Sequence, residues 1–142
     1  VEKQILSNYV RGFDADRLAE AGLEQLLSPE QLVALQQACA EVRIDDELLD
    51  YITEIVGRTR AHRSIFVGAS PRASIALLKA SRVRAALHGR AFVIPDDIKL
   101  LAPAVLRHRL ILHPDAEFEG VSPDECVRSI LGEVPVPKTA AA

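Results

Sequence analysis

The sequence contains no methionine and no tryptophan, and its aromatic side chains are limited to four phenylalanines and two tyrosines. No apolar stretch approaches the roughly 18 residues that a membrane-spanning helix needs, so we expect no membrane span. Because the chain begins with Val1 and has no methionine, we expect a piece of a longer protein whose missing part precedes Val1.

The chain has only two cysteines, Cys39 and Cys126. They lie far apart and match no metal-ligand or redox spacing, so we interpret both as small apolar side chains in a reducing, cytoplasmic setting. The net charge is −3, with acids and bases interspersed. A dedicated nucleic-acid binder is usually basic overall, so we expect no nucleic-acid partner.

The chemical motifs of common enzymes are also missing. There is no GxxxxGK[ST] phosphate loop, and no acidic residue follows an apolar strand as in a nucleotide-hydrolysing core. There is no CxxC, HExxH or nucleophile elbow, and the histidines lack ligand-like pairing. The pairs Asp45/Asp46 and Asp96/Asp97 stand where helices begin, which favours capping over catalysis. We therefore predict no catalytic residue and no metal site.

What the sequence does contain is a series of helix starts. Serine followed by proline, or a pair of aspartates, marks most of them, and Gln31 and Glu125 complete capping boxes that begin at Ser28 and Ser122. Residues 2–10 could finish a helix, and residues 17–27 form either a short helix or a packed connector. Further helices are expected over residues 28–43, 45–60, 70–88, 95–102 and 122–131. Gly89 ends the third of these, and Pro103 breaks or kinks the fourth before a segment at residues 104–110.

These helices predict an all-α fold, a four-helix bundle with a short extra C-terminal helix and at most a tiny two-stranded β element. The only plausible strand pair is residues 42–44 with residues 92–94. Residues 111–121 are interpreted as linker, and residues 134–142 as a loose tail.

Apolar residues recur at helical spacing and predict the buried face of each helix. The first stripe is Leu32, Leu35, Cys39 and Val42, the second is Leu48, Leu49, Ile52, Ile55, Val56 and Thr59, and the third is Ala73, Ala76, Leu77, Ala80, Val83 and Leu87. Ile98, Leu101 and Ala102 are expected to face inward from the next helix.

The segment Gly68, Ala69, Ser70, Pro71, Arg72 places an arginine in the first turn of a helix. The helix dipole disfavours a cation there, whereas free backbone N–H groups at the same end attract anions. The physical argument leaves two readings open: a guanidinium directed at a phosphate, or a surface arginine surrounded by solvent.

Residues 26–60, 68–112 and 122–137 together resemble the C-terminal helical lid of MoxR-type AAA+ ATPases, with Gly68–Ala73 similar to its sensor-2 segment. The resemblance implies domain boundaries: residues 1–25 as the connector from a missing ATPase core, 26–112 as the lid, and 113–142 as a linker, short helix and tail. It also implies that Arg72 contacts the γ-phosphate of ATP, with weaker contributions from Gly68, Ala69, Ser70 and Pro71.

The same resemblance implies ATP and Mg²⁺ in the full-length protein, with neither bound by this chain alone. It implies a core domain and neighbouring subunits of a homohexamer as partners, with Arg107, His108 and Arg109 as possible contacts to them. Family members remodel or insert metal into partner proteins, often ones with von Willebrand factor A domains.

Two other hypotheses are a stand-alone helical protein-interaction module without a nucleotide role, and a small helical DNA-binding domain. A basic face of Arg72, Lys79, Arg82 and Arg90, within an arc of about 80° at 100° per residue, could serve either a protein or a DNA partner, or be merely solvated.

The missing phosphate loop makes a direct prediction. The purified 142-residue chain should release no phosphate from ATP above a buffer blank, because nothing in it cradles the β- and γ-phosphates. A phosphate-release assay checks this, and turnover that a substitution within the chain abolishes would contradict it.

Overall fold

A computed structural model describes residues 1–17 and 22–138 of the chain. The elements follow in the order α1 (Glu2–Val10), α2 (Pro29–Ala40), α3 (Asp46–Thr59), β1 (Ile65–Val67), α4 (Pro71–Leu87), α5 (Pro95–Leu106), a 3₁₀ turn (Arg107–Arg109), β2 (Ile111–Leu112), α6 (Pro114–Phe118) and α7 (Pro123–Glu133). The predicted all-α class with a tiny two-stranded sheet is therefore confirmed. None of the helices in these described ranges is long and apolar enough to cross a membrane.

The chain divides into two compact units, residues 1–35 and 36–142. In the first, α1 ends before Gly12, whose φ of +93° suits glycine. The capping box predicted at Ser28 is present: the Ser28 N–H donates to Gln31 Oε1 over 2.7 Å, and the Gln31 N–H donates to Ser28 Oγ over 3.2 Å. Residues 22–27 are not helical, and residues 18–21 of the predicted helix or connector lie outside the described residues.

Helix α2 ends at Ala40 rather than near Arg43, and no residue of it is buried. Of the stripe predicted for it, Leu32 and Leu35 are half exposed, while Val42, beyond the helix end, is buried. Periodicity identified the helix correctly but not the extent of its burial.

The core of the second unit lies among α3, α4, α5 and α7: α4 packs on α3 and α5, and α7 packs on the same two helices. The short C-terminal helix, predicted as an extra element, thus contributes Cys126, Val127 and Ile130 to this core. Its predicted capping box is present, since the Ser122 N–H donates to Glu125 Oε2 over 2.7 Å.

Helix α4 buries every fourth residue: Ala73, Leu77, Ser81 and Ala85. The predicted stripe was right at Ala73 and Leu77 but wrong at Val83 and Leu87, which are 42% and 80% exposed. Three of these four buried side chains are small and let neighbouring helices approach closely, and the buried face is not the one that hydrophobicity alone indicated.

The predicted strand pair was right only in part, because the two segments meet without forming the sheet. Arg43 and Phe92 form only an isolated parallel bridge, and the sheet is an antiparallel pairing of Ile65 with Leu112 and Val67 with Ile111. The interpretation of residues 111–121 as linker was also wrong, because β2 and α6 lie there and bury Leu112 and Ala116. Elements of two and five residues are too short to show periodicity.

Two further predictions were wrong in part. Helix α5 does not break at Pro103 but continues through it to Leu106. Proline removes a hydrogen bond at a cost of about 3 kcal/mol, and the complete burial of Ile98 and Leu106 outweighs that cost. The tail is not loose at its start, since Val134 is part of the core; residues 139–142 of the predicted tail lie outside the described residues.

A buried carboxylate links the end of α4 to the start of α5. Asp97 is 1% exposed and accepts hydrogen bonds from Arg90 Nη1 at 2.8 Å and Nη2 at 2.7 Å, and from the Ile94 N–H at 3.0 Å. Arg84 Nε lies 3.2 Å from the same carboxylate. Burial alone would raise the pKa of Asp97, but these hydrogen bonds and charges outweigh it and hold the pKa below its usual value.

Asp97→Asn should lower the free energy of unfolding by about 3 kcal/mol at pH 7, because an amide cannot balance two guanidinium groups. A depressed folded-state pKa stabilises the fold above the unfolded pKa of about 3.9, and this stability is lost as pH falls through the folded value. Denaturant unfolding at pH 7 and below pH 4 measures both effects. Asp96→Asn, at an exposed position of the same helix end, is the control; equal losses from both substitutions would contradict the prediction.

Candidate functional site

The segment singled out from the sequence, Gly68–Arg72, joins β1 to α4. Ser70 occupies the N-cap position with extended backbone angles, and Pro71 is the first helical residue, as predicted. The Ser70 side chain makes no capping hydrogen bond. Something other than a cap must therefore hold the start of α4.

Gly68 lies directly against the end of α3. A Cβ atom built on Gly68 would stand 2.7 Å from the N, Cα and Cγ atoms of Arg60. Real Cβ atoms do not approach other atoms that closely, so only glycine lets the two backbones meet here. The need for glycine at this position comes from space and not from an unusual φ.

The backbone of Ala69, the next residue, is held at both its N–H and its carbonyl. The Ala69 N–H donates to Thr59 Oγ1 over 2.9 Å, and Arg60 Nη1 donates to the Ala69 carbonyl over 2.8 Å. The Thr59 hydroxyl in turn donates to the Val56 carbonyl over 2.6 Å. Thr59 and Ala69 are both buried, so these hydrogen bonds satisfy groups that water cannot reach.

Arg72 follows in the first turn of α4 and is exposed to solvent. Within residues 1–17 and 22–138 it has no hydrogen-bond or ion-pair partner, and the first turn of α4 contains no acidic residue. A fixed cation therefore stands beside the positive end of a helix dipole with nothing to balance it. The arrangement can accept an anion from outside the described part of the chain.

The second set of predicted site residues makes its hydrogen bonds and ion pairs within the domain. Arg107, His108 and Arg109 form the 3₁₀ turn. Arg107 Nε donates to the Pro103 carbonyl over 3.1 Å and lies 3.2 Å from an Asp124 carboxylate oxygen, while Arg109 donates to the Val105 carbonyl and contacts His108. No hydrogen bond or ion pair among the described residues joins this turn to Arg72.

The predicted basic face of α4 is smaller than the sequence indicated. The helix ends at Leu87, Gly89 has a φ of +68°, and Arg90 beyond it is bound to Asp97. Lys79 remains exposed on the helix, whereas Arg82 is partly buried with no hydrogen-bond partner for its Nε in the described structure.

Both cysteines are unpaired; Cys126 is buried and Cys39 partly buried. Burial raises the pKa of the Cys126 thiol, as expected of an apolar core residue rather than a reactive one. In the ranges that the structure covers, no cluster of three or more His, Cys, Asp or Glu residues could hold a metal ion.

Sequence reasoning missed the residues that hold the loop. Thr59 belongs to a predicted apolar stripe, and nothing in the sequence singled out Arg60. A Thr-Arg pair at a helix end, followed eight residues later by glycine, is the signal that could have suggested them. Their contacts, however, join residues nine and ten positions apart.

Comparisons with known proteins agree with this architecture. A family model described as the AAA lid domain matches residues 57–130. YeaC of Bacillus subtilis, an uncharacterized protein, is 48% identical over 120 residues, which are 84% of this chain and 38% of that protein. Chaperone MoxR1 of Mycobacterium tuberculosis is 35% identical over 127 residues, 83% of this chain and 34% of that protein.

Protein MoxR of Methylorubrum extorquens is 42% identical over 72 residues, 49% of this chain and 21% of that protein. The crystal structure of a candidate ATPase from Cytophaga hutchinsonii superposes with a TM-score of 0.77 at 32% identity, covering 81% of this chain and 38% of that one. The chain thus spans about a third of the length of the first two curated relatives.

The match to this family model over residues 57–130 shows that the chain belongs to the AAA lid domain family, and its all-α architecture with a tiny sheet is consistent with that. Its likeness to MoxR1 and MoxR makes it a lid of the MoxR type.

Gly68→Ala should lower the free energy of unfolding by about 2 kcal/mol, since its methyl group must displace the Arg60 backbone. Gly132→Ala is the matched control: nothing lies within 4 Å of a Cβ there, and the residue is in α7. Alanine is the better helix former by about 1 kcal/mol, so the control should be neutral or stabilising. Urea unfolding of both variants checks the pair, and a Gly68→Ala protein as stable as the parent would refute the close approach.

Proposed function

We propose that this domain is the nucleotide-sensing lid of an AAA+ ATPase, with Arg72 as its sensor-2 arginine. ATP and Mg²⁺ would be held by the ATPase core of the full-length protein, and the lid would contribute Arg72 toward the γ-phosphate. Gly68, Ala69, Ser70 and Pro71 would contribute by presenting that arginine.

The observation that carries this proposal is the unpartnered state of the exposed Arg72 at a helix start that is otherwise firmly held. Most other arginines discussed above lie against acceptors within the domain: Arg60, Arg84, Arg90, Arg107 and Arg109. Arg82 also lacks a hydrogen-bond partner for its Nε in the described structure, but it is partly buried. The guanidinium of Arg72, the Ser70 hydroxyl left free of capping and the adjacent helix N-terminus together suit a polyanion. ATP supplies a terminal phosphate there that ADP lacks.

The proposed mechanism is a two-state motion biased by the ligand. A charge-assisted hydrogen bond from Arg72 to a γ-phosphate is worth about 1.5–3 kcal/mol, which shifts an open–closed equilibrium by roughly 10- to 150-fold. The lid would close on ATP and relax after hydrolysis, because only the closed state makes this contact.

Closure of this kind would couple hydrolysis to work on other proteins. We propose the domain's own ATPase core and neighbouring subunits of a homohexamer as partners, with Arg107, His108 and Arg109 as contacts to them. Remodelling of, or metal insertion into, a protein with a von Willebrand factor A domain would be the output. The word chaperone in the name of MoxR1 supports a remodelling role. The cytoplasmic setting stays a prediction from the two unpaired thiols.

Arg72→Ala in the full-length protein should lower ATP turnover at least tenfold, because the variant loses a contact worth about 1.5–3 kcal/mol that ADP never makes. Arg72→Lys should recover only part of it, since an ammonium cannot bind a phosphate bidentately. Steady-state phosphate release, with Lys79→Ala as the exposed cation control on the same helix, measures this. Normal turnover in Arg72→Ala would remove the arginine from the mechanism.

A further inference from the structure

The backbone N–H and the carbonyl of Ala69 are both hydrogen-bonded to side chains at the end of α3, as described above, and we call these two hydrogen bonds the tie. Building on the proposed function, we infer that Thr59 and Arg60 are positioning residues that join Arg72 to α3 as one rigid piece. A phosphate that binds Arg72 would then move the whole bundle, whereas an untied first turn of α4 would give way and leave the rest of the bundle behind.

The geometry leaves little freedom between the tie and the helix. Ala69 is fixed by Thr59 and Arg60, and α4 begins at Pro71, whose ring fixes its own φ. Only Ser70 lies between them, and its carbonyl already accepts from the Ala73 N–H over 2.8 Å. Motion of the Arg72 backbone relative to α3 is therefore confined largely to the backbone torsions of one residue, while its side chain stays free to turn toward a ligand.

Thr59 is suited to this role because its hydroxyl both donates and accepts a hydrogen bond. It donates to the Val56 carbonyl and accepts from the Ala69 N–H, and the residue is fully buried at the last position of α3. Valine has the same shape but would leave the Ala69 N–H buried without an acceptor. Serine keeps the hydroxyl and should keep the tie.

Arg60 holds the other side of the peptide with a side chain that lies against Gly68. The residue as a whole is exposed. Methionine would keep an unbranched stem there while removing the donor to the Ala69 carbonyl. Arg60→Met thus tests the tie at a position where loss of folding is not expected.

Variants that break the tie should behave differently from Arg72→Ala. With the tie broken, Arg72 can still follow the γ-phosphate, so the affinity for ATP should stay within about twofold. The ratio of closed to open lid should fall about fivefold, because the lost hydrogen bond no longer helps to couple the phosphate contact to the bundle. Arg72→Ala, by contrast, should lose closure together with the preference for ATP over ADP.

The experiment is a fluorescence-transfer measurement on the full-length protein, with one dye on the ATPase core and one on α7. It uses ATP, its non-hydrolysable imido analogue and ADP as probes. Thr59→Val and Arg60→Met should bind the analogue normally but populate the closed state about fivefold less, with kcat reduced and KM little changed. Thr59→Ser should behave as the parent.

Ser81→Ala is the matched control, because Ser81 also carries a buried hydroxyl, one with no hydrogen-bond partner in the described structure. If both tie variants close normally while Arg72→Ala does not, the tie is overturned and the proposed function stands. If Arg72→Ala also closes normally, the proposed function fails and the tie with it. If Thr59→Val does not fold, Arg60→Met and Thr59→Ser decide.

Discussion

The contact on which the candidate site depends is the approach of Gly68 to the backbone of Arg60. With no Cβ in the way, the chain leaving β1 lies directly on the end of α3. Only at that separation can the Ala69 peptide meet both the Thr59 hydroxyl and the Arg60 guanidinium. These three contacts hold the chain immediately before α4, and packing on α3 and α5 holds the helix itself, so together they place the first turn that carries Arg72.

Charged side chains at the starts of α5 and α4 are arranged in opposite ways. At the start of α5, the buried Asp97 sits at the positive end of a helix and is balanced by Arg84 and Arg90, which secures the turn between α4 and α5. At the start of α4 the signs are reversed, and an arginine stands at the positive end without an acid. The first pattern stabilises the fold, whereas the second leaves an attraction for an anion unsatisfied.

Local signals in the sequence located most helices and the arginine. Ser28, Ser70 and Ser122, each followed by proline, marked helix starts at the right residues, and Gly89 marked the end of α4. Features that depend on contacts between residues far apart in the sequence could not be predicted. The pairing of β1 with β2, the continuity of α5 through Pro103 and the small-residue face of α4 are all decided by packing across the core, which no local pattern encodes.

The same limit explains why Arg72 could be singled out while Thr59 and Arg60 could not. An arginine in the first turn of a helix conflicts with the local field, and a local conflict is visible in sequence. A threonine at a helix end is unremarkable until the loop that it holds is folded beside it. The proposed nucleotide-sensing function would give the conflict a physical rationale, because another domain would then supply the anion that relieves it. An arginine balanced inside the lid would have stabilised the domain but could not distinguish one nucleotide state from another.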